Sequence, residues 1–107
     1  MWLNRTSAKV DPANVDKAIA VLSSAGAVAA FRNAPGFRSL VVLQSVAIPD
    51  EIQALSFWDS EEHCNAFYAS PEYRQAFGTI KEFLVGMPGR DFFTVHLVEG
   101  ALKEEVR

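Results

Sequence analysis

Cysteine is all but missing from this chain. Cys64 is the single one among 107 residues, which excludes an internal disulfide and a cysteine-based zinc site. Histidine is nearly as scarce: His63 and His96 are the only two. With no paired carboxylate cluster to join them, a dedicated metal site is not expected. Excess positive charge is missing too. The formal net charge is −3 and the pI about 5.3, so the basic face that a nucleic-acid partner requires is not anticipated. No uncharged apolar run reaches the ~18–20 residues of a membrane span; Ala18 to Phe31 is short and Ala-rich. The opening Met1-Trp2-Leu3-Asn4-Arg5-Thr6 lacks a charged segment followed by an apolar one, so a signal peptide is not expected and the chain reads as soluble and cytoplasmic. No internal repeat or low-complexity stretch is visible.

What is present is apolar mass. Half of the residues are hydrophobic, at the upper end for a soluble domain, and a chain of this length forms one domain over residues 1–107. About 60–70% of the unfolded surface can be buried at this size, enough for a core without staples.

The order of elements reads β-α-β-β-α-β. A strand over residues 2–10 ends before Asp11-Pro12, where Asp11 can cap a helix and Pro12 suits its first position. Val15, Ala18, Ile19, Leu22 and Ala29 recur at three- and four-residue spacing, which predicts one amphipathic helix to about Asn33. Asn33-Ala34-Pro35-Gly36 stops it. A hairpin follows, with strands over 37–46 and 52–58 joined by Ile48-Pro49-Asp50-Glu51. Helix then runs from Ser60 to about Val85, broken at Ser70-Pro71 and ended by Gly86-Met87-Pro88-Gly89. Asp59 or Ser60 is the expected cap, with Glu62 completing an Asp59-x-x-Glu62 box. The last strand is expected over 92–98, before a polar tail from about residue 100 to 107.

This order predicts an α+β, ferredoxin-like βαββαβ sandwich, one antiparallel sheet with its helices on one face. A sheet with one wet face should alternate apolar and polar residues. Leu40-Val41-Val42-Leu43, Ala54-Leu55-Ser56-Phe57-Trp58 and Phe92-Phe93-Thr94-Val95-His96-Leu97-Val98 do not. Each bulky group left exposed forgoes about 1.5–3 kcal/mol of burial, so a second copy is expected over the bare face, giving a homodimer.

Pro35-Gly36-Phe37 before a strand, the strand-ending Trp58-Asp59-Ser60-Glu61-Glu62 and the second cap Ser70-Pro71-Glu72-Tyr73 together resemble the antibiotic biosynthesis monooxygenase (ABM) superfamily of dimeric α+β barrels. The resemblance spans nearly the whole chain. It implies a pocket between sheet and helices in each subunit, and a choice among cofactor-independent quinone-forming oxygenases, quinol oxygenases, haem-degrading enzymes and members without known activity. The haem-degrading branch uses an asparagine on the first strand, then a tryptophan and an iron-binding histidine on the later helices. Asn4 suits the first role, but the other two positions fall at Phe67 and Phe77, and His63 comes too early. Haem degradation is therefore disfavoured, and no cofactor is expected.

Cofactor-free oxygenation of an electron-rich phenol needs a base or hydrogen-bond partner and a dry cavity. Asn4, His96 and Trp58 are the candidate catalytic residues; His63, Phe67, Tyr68, Tyr73 and Phe77 are candidates for the substrate pocket. Each has a plainer reading. Trp58 can anchor the core at the strand–helix corner, and Asn4 can satisfy a strand position. His96, in a strand interior, would point into the pocket or the dimer interface. His63 can be a solvated residue in a first helical turn, Cys64 an inert buried thiol, and Tyr73 and Phe77 part of a core stripe with Ile80 and Leu84. Two functions remain open: a small oxygenase acting on an aromatic or quinone-like molecule, or a non-catalytic dimeric module that binds a small apolar ligand or serves in a stress response.

Overall fold

A computed structural model describes residues 1–100 of the chain; the polar tail expected near the end lies, from residue 101 on, outside the described residues. Strand β1 covers Trp2–Lys9, β2 Phe37–Gln44, β3 Glu51–Trp58 and β4 Gly89–Thr94. They form one antiparallel sheet in the order β2-β3-β1-β4, the arrangement of a ferredoxin-like α+β fold. Helices α1 (Val15–Leu22), α2 (Ala25–Arg32), α3 (Glu61–Tyr68) and α4 (Pro71–Phe77) form the second layer.

The β1–β3 register sets what faces those helices. Trp2 pairs with Trp58, Asn4 with Ser56, Thr6 with Ala54 and Ala8 with Ile52. Because side chains alternate along a strand, these eight share the helix-facing side with Leu40 and Val42 of β2. Ala27, Phe31, Trp58, Cys64, Phe67 and Phe77 make one buried cluster, and Val10, Ala18 and Ile52 a second. Trp58 is the anchor foreseen: it is wholly buried, with ring centroids of Phe67, Phe37, Phe31 and Tyr68 at 5.2–6.3 Å.

The single helix expected up to Asn33 is instead a 3-10 turn at Pro12–Asn14 followed by two helices bent by 48°. Ser24 makes the break. Its Oγ donates to the Val21 carbonyl at 2.8 Å and accepts from the Ala27 N–H at 3.2 Å, so it closes α1 and opens α2. A serine that offers the backbone these alternatives competes with a continuous helix. Ser70 repeats the device at the foreseen break, donating to the Phe67 carbonyl at 2.6 Å and capping Tyr73. Beyond α4 the backbone tightens into a 3-10 segment, Gly78–Phe83. Ser60, not Asp59, caps α3; Asp59 is taken by an ion pair with Arg38.

The final strand also differs from its expected span. β4 starts at Gly89 and ends at Thr94, because its partner β1 begins at Trp2, which pairs with Thr94. One further bond, from the Val95 N–H to the Met1 carbonyl, closes the ladder. His96 is therefore not inside a strand; it is exposed, as are Leu97 and Val98.

The other face of the sheet carries Leu3, Val41, Leu43, Leu55, Phe57 and Phe93, none of them fully buried, and Leu43 and Phe93 are about two-fifths exposed. Arg5 crosses this face, paired with Asp91 at 2.6 Å and lying over the Phe93 ring. No described element covers it.

Candidate functional site

Between sheet and helices lies a cavity of about 100 Å³. Thr6, Ala8, Val42 and Ala54 floor it from the strands. Ala18, Leu22, Phe31, Tyr73, Phe77 and Ile80 roof it, and Leu84 and Pro88 close one end. Small residues on both layers create the space: had Ala8 and Ala54 on the strands and Ala18 on α1 been leucines, these positions would fill it. The volume lies below the ~150 Å³ of an apolar cavity known to accept benzene, which sets one small ring as the upper limit and excludes a fused polycycle.

Tyr68, the last residue of α3, gives the cavity its main polar group. The Tyr68 hydroxyl lies 3.1 Å from Asn4 Nδ2 and 2.8 Å from Ser56 Oγ. Asn4 is fully buried. Its Nδ2 also donates to Thr6 Oγ1 at 3.1 Å, and its Oδ1 accepts from Arg90 Nε and Nη2 at 3.2 and 3.1 Å. Trp58 Nε1 donates to Ser56 Oγ at 2.9 Å. A continuous chain thus runs Arg90–Asn4–Tyr68–Ser56–Trp58; the pairing of β1 with β3 and β4 positions Asn4, Ser56, Trp58 and Arg90, and α3 brings Tyr68 to them. The Arg90 guanidinium also sits 4.4 Å over the Tyr68 ring, a cation–π contact.

Burial pushes the Tyr68 phenol up to about 12, against smaller lowering effects from the Ser56 hydrogen bond and Arg90. The Tyr73 phenol is raised by burial as well, and Arg90 lowers it in part. Both tyrosines therefore stay protonated at neutral pH. Burial also raises the Cys64 thiol, outweighing the lowering by Arg90, so Cys64 is the inert core thiol expected of it.

The structure sorts the candidate residues sharply. Tyr68, Tyr73 and Phe77 line the cavity. Phe67 does not: it stacks behind Phe31, with ring centroids 4.5 Å apart, in the core. His63 lies elsewhere, half-buried over Gly36, with Nδ1 2.7 Å from Ser60 Oγ. Gly36 has φ +79°, and a Cβ there would stand 2.3 Å from His63 Cγ, so the glycine is needed both for the turn and for the ring. Asn4 and Trp58 support Tyr68 from behind without lining the cavity. His96 is exposed and is not among its lining residues. Ser56 and Arg90 are the members that sequence reasoning passed over. A lone serine among Leu55, Phe57 and Trp58 was a legible sign of a buried polar group; Arg90 lay outside the strand as it was drawn.

No group of three or more His, Cys, Asp or Glu side chains suited to a metal ion occurs among the described residues. No single helix there is long and apolar enough to cross a membrane; the bent pair α1 and α2 passes by length and composition together, but its apolar side, through Ala18, Ala27 and Phe31, is buried on the sheet.

The fold recurs among solved structures. A provisionally named antibiotic biosynthesis monooxygenase from Chloroflexus aurantiacus J-10-fl is 23% identical, with 92% of this chain and 96% of that one covered and a TM-score of 0.75. One of the same provisional name from Nitrosomonas europaea is 14% identical, with 89% and 98% covered and a TM-score of 0.77. A conserved protein from Methanosarcina mazei Go1 is 16% identical over 87% and 91%, with a TM-score of 0.75. No functionally curated protein matches the sequence. At these identities the structures show a shared fold; the sequence itself decides the family, since residues 3–79 match the model of the antibiotic biosynthesis monooxygenases. That span holds β1 to α4, and with it Asn4, Ser56, Trp58 and Tyr68, so the chain belongs to the antibiotic biosynthesis monooxygenase family.

Proposed function

We propose that the protein is a small, cytoplasmic, cofactor-independent monooxygenase that oxidises a single-ring aromatic or quinone-like molecule in the cavity beneath Tyr68. The observation that carries this reading is the cavity itself: a ring-sized apolar space with a protonated phenol held at its wall by buried partners. Family membership and the names of the solved relatives support it. The reaction balances without an added reductant. A phenol with a free ring position and O2 give a quinone and water: one oxygen atom enters the ring, the other leaves as water, and the substrate supplies all the electrons. The cavity walls exclude water, and the Tyr68 hydrogen bond favours the ionised phenol that reacts with oxygen. Asn4 and Trp58, candidates for catalysis in the sequence, act in this reading as positioning residues.

The bare sheet face supports a homodimer closing the barrel, with Leu43 and Phe93 buried between copies. Haem does not fit the same space. About 100 Å³ is far below a porphyrin, and Phe77 on the wall has no lone pair for iron.

One observation favours the binding-module reading: among the described residues no carboxylate or histidine lines the cavity, so none of those carboxylates or imidazoles stands ready as a general base. Oxygen uptake with a panel of single-ring phenols and hydroquinones separates the two. Uptake above the uncatalysed rate supports the oxygenase. Thermal stabilisation by the same compounds without uptake makes the protein a binding module.

A further inference from the structure

We infer that Tyr68 is a one-way hydrogen-bond donor to the occupant of the cavity, so that the ring bound there presents a carbonyl or phenolate oxygen to this wall. The inference rests on the proposal that the cavity is a ligand site, but the direction of the hydrogen bonds follows from the chain alone.

Two groups that can only donate set that direction from opposite ends. Arg90 gives two N–H bonds to Asn4, which forces the amide oxygen toward Arg90 and the amide nitrogen toward Tyr68 and Thr6. The Tyr68 oxygen therefore accepts from Asn4. At the other end Trp58 Nε1 donates to Ser56 Oγ. Ser56 is fully buried, and among the described residues the one acceptor within reach of its own proton is the Tyr68 oxygen. The alternative, Tyr68 donating to Ser56, would strand the Ser56 proton in a closed site, where an unmet donor is costly.

The Tyr68 proton is thus left without an acceptor among these bonds, because both neighbours of its oxygen, Asn4 and Ser56, face it as donors. Tyr68 lines the cavity, so an acceptor on a ring bound there can meet that proton. The neighbourhood shares its polarity. Thr6 Oγ1 accepts from Asn4 and keeps its own hydroxyl proton on the same wall, and the Arg90 charge lies over the Tyr68 ring. An oxygen bearing partial or full negative charge satisfies all three.

Benzaldehyde and its hydrocarbon isostere styrene, which differ at C=O against C=CH2, test this on the full chain. Calorimetric titration should show benzaldehyde binding about three- to tenfold tighter, the net worth of one hydrogen bond, and its infrared carbonyl stretch should fall on binding. Tyr68→Phe should bring the two affinities level while styrene still binds. Asn4→Asp should do the same with Tyr68 in place, because the new carboxylate accepts the Tyr68 proton. Equal binding to the wild type, or a preference that survives Tyr68→Phe, overturns the inference and leaves the cavity reading intact. Failure of both rings to bind overturns the cavity reading instead. A ligand-free measurement judges the network separately. Only two tyrosines are present, so in Tyr73→Phe the tyrosine Raman doublet reports Tyr68 alone; an acceptor pattern supports the assignment and a donor pattern rejects it.

Discussion

Raising the pH should unfold this protein through Tyr68. Burial holds the phenol at about 12 in the folded chain, against about 10 in an unfolded one. A raised folded value means that the fold favours the neutral form. The associated stability is fully present below pH 10 and is lost as the pH climbs through 10 to 12, where the unfolded chain sheds its proton first. Two pH units at ~1.36 kcal/mol each correspond to roughly 2–3 kcal/mol, a large part of the ~5–15 kcal/mol that separates folded from unfolded domains. The cause is geometric. Ionised Tyr68 would keep its bonds from Asn4 and Ser56, yet would lie against apolar walls and the Tyr73 ring 4.8 Å away, and desolvation outweighs those bonds. Urea denaturation of wild type and Tyr68→Phe from pH 8 to 12 measures the effect, with lysine titration cancelling in the difference. Near pH 8 the variant should be less stable by about 1–3 kcal/mol, since Asn4 and Ser56 lose an acceptor. Above pH 10 the gap should close. A gap that stays constant to pH 12 would refute the argument that Tyr68 is buried as a neutral phenol.

Other perturbations have equally definite outcomes. Asn4→Ala removes a buried hub of four hydrogen-bond contacts and leaves a void, so urea unfolding should show a loss of about 2–4 kcal/mol; His96→Ala, at an exposed position, should change stability by less than about 0.5 kcal/mol and leave any oxygen uptake unaltered. Gly36→Ala should cost at least ~1 kcal/mol from its positive φ and more from the collision with His63; in a His63→Ala background the loss should shrink toward the backbone cost alone, a coupling that a double-mutant cycle measures. Phe93→Glu, on the bare sheet face, should turn a dimer into a monomer by light scattering, and a wild type already monomeric at micromolar concentration would remove the homodimer proposal.

The parts of the fold legible in the sequence are those written in local chemistry. Apolar spacing, Asp11-Pro12, Ser70-Pro71 and the Pro35-Gly36 turn place the elements because each acts on its own few residues. Ser24 was less legible: the apolar spacing runs from Leu22 past Ser23-Ser24 to Ala29, and only its two hydrogen bonds reveal the end of α1. β4 differs from its sequence pattern for another reason. Hydrophobicity centres it on Phe92–Val98, whereas pairing with β1, including Arg5 with Asp91 and Thr6 with Arg90, draws it toward Gly89. That shift removes His96 from the sheet and brings Arg90 to Asn4. The polar chain behind Tyr68 joins residues 64 and 86 positions apart, a distance that no local pattern encodes, so Asn4 and Trp58 could be picked out while the bonds that give them a role could not.

The central claim is that a ring bound beneath Tyr68 is oxygenated there without a cofactor, and isotope incorporation tests it most directly. Purified protein, stripped of metals and flavin, would be given a single-ring phenol under heavy-isotope dioxygen, and the quinone analysed by mass spectrometry. The account predicts one labelled oxygen atom per quinone formed by the wild type. It predicts loss of product in Ala54→Leu, which fills the cavity, and slower formation in Tyr68→Phe. Product carrying no label, or label entering at the same rate when the cavity is filled, would contradict it.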